Sequence, residues 1–139
     1  MVEIIVALIA VFGVVFPYLF QRNRELNAKI ADQKREAYEN FLYNFTEMTV
    51  EIMHGKEASG KETDLKRMSA RDKLVLYASD EVIKAYDTWV RYGDAESHDW
   101  KKDSELMDLI LLAIRKDLLL GKTKLTRDHI TNLNSFNRG

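Results

Sequence analysis

Ile4-Ile5-Val6-Ala7-Leu8-Ile9-Ala10-Val11-Phe12-Gly13-Val14-Val15-Phe16-Pro17-Tyr18-Leu19-Phe20 is an unbroken apolar run of 17 residues, and Met1 and Val2 extend it around Glu3. As a helix, 17 to 20 such residues span about 26–30 Å, which matches the hydrocarbon core of a bilayer. The run has no polar face with which to lie on the surface of a small domain. A cleavable signal needs a basic start and a small-x-small cleavage site. Here the start carries Glu3 and the end reads Phe16-Pro17-Tyr18-Leu19-Phe20. The expectation is a retained transmembrane helix over residues 1–21.

The flanks orient it. Arg22, Arg24, Lys29, Lys34 and Arg35 follow the run, opposed before Glu36 only by Glu25 and Asp32. The positive-inside rule then places the C-terminal part in the cytoplasm and the N-terminus outside, with Tyr18 near the inner interface. Around the helix, at 100° per residue, Glu3, Ala7, Ala10, Val14, Pro17 and Gln21 fall within about 40° of one line. Ile5, Phe12, Phe16 and Leu19 lie opposite and suit lipid. Small residues let spans approach closely in a bilayer, so this face is the candidate for span packing or pore lining. In a symmetric homo-oligomer Glu3 becomes an acidic ring, or else it lies among headgroups and water.

The whole chain has 139 residues, 46% hydrophobic and 31% charged, with 21 Lys and Arg against 22 Asp and Glu. A net charge of -1 excludes a polycation that coats nucleic acid by charge alone. The absence of Cys excludes disulfides, thiolate metal sites and a thiol nucleophile. Because residues 1–20 hold one charge, the remaining charge is concentrated in the rest of the chain.

No Gly or Pro occurs between Pro17 and Gly55, which predicts a helix continuing out of the membrane. Leu26, Ile30, Ala37, Phe41, Phe45, Met48 and Ile52 recur at steps of 4, 7, 4, 4, 3 and 4, a helical stripe. Residues 22–53 therefore read as a stalk helix, charged in its first half and needing cover in its second. Residues 54–64, with Gly55, Ser59 and Gly60, read as a mobile loop ending at a cap on Thr63 or Asp64. Residues 65–139 read as a small helical domain. Ser69-Ala70-Arg71-Asp72 offers a further cap within it. Leu74-Val75-Leu76-Tyr77-Ala78 fits helix among helical neighbours, although strand is the alternative. Ser79 caps a helix that stops at Gly93, and residues 94–100 form a loop. The next helix ends at Gly121, and Thr126 caps a last short one through Leu133, followed by a polar tail. The fold class is all-α.

His54, His98 and His129 lack a partner at a recognised metal spacing. There is no phosphate-cradling Gly-rich loop and no nucleophile elbow, so no enzyme, metal or cofactor is expected. One basic cluster stands out. Arg115, Lys116, Lys122, Lys124 and Arg127 are opposed only by Asp117. Such cations can complement a helix dipole or hold an anionic ligand: a nucleotide, a single-stranded DNA oligomer or an acidic partner.

Leu76-Tyr77-Ala78-Ser79-Asp80-Glu81-Val82-Ile83-Lys84-Ala85-Tyr86-Asp87, together with Ala113-Ile114-Arg115-Lys116-Asp117-Leu118, resembles a group of small bacterial membrane effectors of anti-phage defence. In build the chain is most similar to the Hailong-type membrane effector. The resemblance implies a homo-oligomeric ion channel in the bacterial inner membrane, opened or closed by a single-stranded DNA ligand, with an operon-encoded nucleotidyltransferase as partner. The chain departs from the group at Leu119-Leu120, where an early Gly is usual. The competing expectation is a non-conducting anchor or adaptor that tethers a cytoplasmic partner.

Overall fold

A computed structural model describes residues 1–56, 60–94 and 99–133. The described residues are all-α, with no strand. Among them five helices follow one another: α1 (Val2–Met53), α2 (Lys61–Tyr77), α3 (Asp80–Gly93), α4 (Trp100–Leu118) and α5 (Arg127–Leu133). The chain divides into two compact units, Met1–Lys34 and Arg35–Gly139.

The first unit is a single stretch of α1. Every residue from 1 to 32 is exposed, including the whole apolar run. This helix is long and apolar enough to cross a membrane, and none of its apolar segment is buried. Pro17 lies inside it. Without an N–H, Pro17 leaves the carbonyl four residues earlier unbonded, and its ring crowds that carbonyl. The residue there is Gly13, and a side chain built on it would meet nothing within 4 Å. Beyond the run, the Arg24 guanidinium lies 6.0 Å from the Phe20 ring centroid, at the limit of a cation–π contact.

Among its described residues the second unit builds a core from the later part of α1 with α2, α3 and α4, and α5 adds no buried residue. Tyr38, Phe41, Leu74, Val82, Met107, Ile110 and Ile114 are buried together, with Leu42, Phe45, Tyr86 and Trp89 packed on them. Phe41 meets Tyr86 edge-on at 5.4 Å, Phe45 meets Trp89 at 5.8 Å, and Tyr86 stacks on Trp89 at 6.0 Å. These aromatics are core, as large apolar rings usually are. Lys66 pairs with Glu47 and Lys73 with Glu36, each at 3.7 Å, so α2 runs antiparallel to residues 35–53. Exposed pairs of this kind set register more than they stabilise.

Local signals explain most helix ends. Ser79 caps α3 by accepting from the Val82 N–H at 3.4 Å, and Asp80 and Glu81 complete the first turn. α3 runs to Gly93. Two cap assignments are corrected. α2 begins at Lys61 behind Gly60, whose φ of 128° suits glycine, while Thr63 and Asp64 fall inside the first turns. Ser69 to Asp72 caps nothing, because burial of Ala70 and Leu74 carries α2 through to Tyr77. Trp100, assigned above to a loop, opens α4, since the Asp99 carboxylate accepts from the Lys101 N–H at 3.0 Å. The loop reading of 54–64 falls partly on 57–59, and those of 94–100 and of the tail partly on 95–98 and 134–139. These residues, His98 included, lie outside the described ones.

Candidate functional site

Glu3, Ala7, Ala10, Val14, Pro17 and Gln21 all lie on α1 within the first unit, and all are exposed. A continuous helix keeps them on one line by its 3.6-residue period. The face is therefore formed by exposed side chains of one helix.

The basic cluster occupies the turn between α4 and α5. Arg115 and Lys116 stand in the last turn of α4. The turn closes by a Schellman pair: the Gly121 N–H donates to the Lys116 carbonyl at 2.7 Å, and the Leu120 N–H to that of Asp117 at 3.2 Å. This pattern puts the residue after the C-cap in the left-handed region, and that residue is Leu120, with φ of 52°. A side chain with a Cβ costs roughly 1–2 kcal/mol there, a cost glycine avoids.

The structure does not make one focused site of the five cations. Arg115 Nε donates to Thr123 Oγ1 at 3.1 Å and so braces the turn. Arg127 opens α5 and lies 3.8 Å from Asp128. Lys116, Lys122 and Lys124 are exposed and make no ion pair among the described residues. A shallow cleft of about 240 Å³ beside the turn is lined by Ser79, Glu81, Ala113, Lys116, Asp117, Leu120 and Gly121. Two carboxylates against one lysine make it a poor seat for a phosphate.

Two polar junctions escaped sequence reading. The Tyr38 hydroxyl donates to Asp117 Oδ2 at 2.5 Å and accepts from the Ser79 N–H at 3.2 Å. One phenol thus ties α1 to the start of α3 and the end of α4. Burial first, then the bond to Asp117, pushes the Tyr38 hydroxyl up to about 12. The acid that formally opposes the basic cluster is therefore held by the core. Asp108, a charged residue buried on α4, accepts from Thr131 Oγ1 at 2.8 Å and so fastens α5. Burial raises its pKa, against the Thr131 bond and the nearby Arg127 charge.

His129 has a structural post. Its Nδ1 accepts from the Thr126 N–H at 3.1 Å and lies 2.9 Å from the Thr126 hydroxyl. This is one half of a capping box, with histidine in place of the usual glutamate, while the His129 N–H donates to the Thr126 carbonyl at 3.2 Å. Among the described residues no group of three or more His, Cys, Asp or Glu is placed to hold a metal ion. No family model, no curated protein and no solved structure matches this chain.

Proposed function

We propose that this chain is a single-pass membrane protein that acts as a homo-oligomeric effector, its span answering in the bilayer to signals received by its helical unit. The observation that carries this reading is the apolar run of α1, helical and exposed along its whole length. In water it would be an apolar surface far larger than a few hundred Å². A bilayer accepts such a helix, because its backbone groups, apart from those at its start and around Pro17, are bonded within it. Arg22 and Arg24 then lie on the cytoplasmic side of a bacterial inner membrane. The line from Glu3 to Gln21 packs span against span and, in an open assembly, borders a pore. The resemblance to anti-phage effectors supports a ligand-gated pore, with a nucleotide or single-stranded DNA oligomer as its input.

A non-conducting anchor or adaptor is the second reading. It is favoured by α2, whose Leu65, Met68, Val75 and Leu76 are exposed on the side opposite Ala70 and Leu74. Resistance to alkaline carbonate extraction tests the span, and planar-bilayer conductance of the purified chain separates the two readings. Glu3→Ala and Ala10→Ile should each reduce conductance while expression is kept. Conductance unchanged in both would remove the pore-lining assignment. A carbonate-resistant protein that never conducts is the anchor.

A further inference from the structure

We propose that the turn between α4 and α5 is a lipid-docking tip, inserting Leu119, Leu120 and Leu125 into the interfacial layer of an anionic bilayer while Lys122 and Lys124 meet its phosphate headgroups. Leu120 is 83% exposed and held at a positive φ. The turn's backbone bonds hold that conformation and leave the leucine side chain largely without cover from its own chain. Leu118, Leu119 and Leu125 are exposed beside it. Apolar side chains ringed by cations are the pattern of a surface that rests in the headgroup boundary.

Charge complementarity chooses the partner. Lys122 and Lys124 are exposed, and around the turn Arg115, Lys116, Lys122, Lys124 and Arg127 outnumber Asp117, Asp128 and Glu81. Anionic headgroups attract such lysines additively, by about fivefold in partitioning for each one. Single-stranded nucleic acid fits less well, because it is held largely by stacking on aromatic rings. Residues 113–133 contain no Phe, Tyr or Trp, and the ring of His129 is occupied by its cap. The proposal rests on the membrane reading above, which keeps a bilayer always within this protein's surroundings.

The absence of native cysteine makes the test direct. Full-length Leu120→Cys and Leu125→Cys chains, each labelled with an environment-sensitive fluorophore, are reconstituted into phosphatidylcholine vesicles with or without phosphatidylglycerol. Anionic vesicles should shift the emission to the blue and allow quenching by a spin label on the lipid chains. Adding Lys122→Glu with Lys124→Glu should lower the buried fraction at least tenfold. A fluorophore that stays in water in anionic vesicles, in a chain that still resists carbonate extraction, overturns this proposal and leaves the membrane reading standing. Failure of carbonate resistance is instead the failure of the membrane reading. Burial that is equal without anionic lipid, that is quenched by a label on a second copy, or that follows addition of an oligonucleotide in detergent assigns the tip to another partner and also overturns it.

Discussion

Two stretches of one helix, residues 4–20 and residues 37–48 of α1, are both rich in apolar side chains and have opposite fates. In the first, every side chain is exposed. In the second, Ala37, Tyr38 and Phe41 are buried, with Leu42 and Phe45 packed beside them. The difference lies in periodicity rather than in amount. The second stretch spaces its apolar residues by three and four and leaves Glu39, Tyr43 and Thr46 on the far side, so one face meets a core. The first has no polar face to leave in water. It is long and apolar enough to cross a membrane.

Substitutions that damage one stretch and spare the other sharpen that contrast. Leu74→Ala removes a side chain that is 0% exposed in the core facing Tyr38 and Phe41. It should cost about 3–5 kcal/mol and lower Tm by calorimetry, while carbonate resistance is kept. Val11→Arg should do the reverse. A cation at the middle of a span costs about 2.5–3.5 kcal/mol on insertion scales, so the protein becomes carbonate-extractable with the core's Tm unchanged. An equal response of both assays to either change would erase the distinction.

Tyr38→Phe is expected to cost about 1.5–3 kcal/mol, since Asp117 loses a donor and the Ser79 N–H loses an acceptor. It also carries a pH signature. The Tyr38 hydroxyl is raised from 10.0 to about 12 in the folded chain. Its contribution is therefore complete below the unfolded value and lost as pH rises through the folded one. Wild-type stability should fall across that alkaline window, and the Phe variant should show a flatter profile in denaturant titrations. The smallest expected change is a gain: Leu120→Gly should stabilise the second unit by about 1 kcal/mol, seen as a higher urea midpoint, because glycine takes the positive φ without strain. Lipid docking by the tip should weaken in the same variant, which separates fold stability from surface function.

Much of the architecture was legible in local pattern. The apolar run, the stripe through Phe41 and Phe45, the Ser79 cap and the Gly93 stop each depend on neighbours within a few residues. The missed caps at Thr63, Asp64 and Ser69 show the limit of such reading. Several polar residues along α2 could have capped it, and burial of Ala70 and Leu74 decided between them. The basic cluster was legible as composition but not as geometry. Nothing in the spacing of Arg115 and Thr123, or of Arg127 and Asp128, says which cations brace the turn and which stay in water.

By itself the sequence determined the helical class and the presence of one segment with no polar side, because both follow from periodicity along a single strand of chain. Tertiary structure alone decided that Tyr38 meets Asp117 across 79 positions and that Asp108 meets Thr131 across 23. It alone also left Leu120 bare at the tip of its turn. Those outcomes depend on which helix faces come together, and a periodic pattern states that a face is apolar without naming the face it will meet.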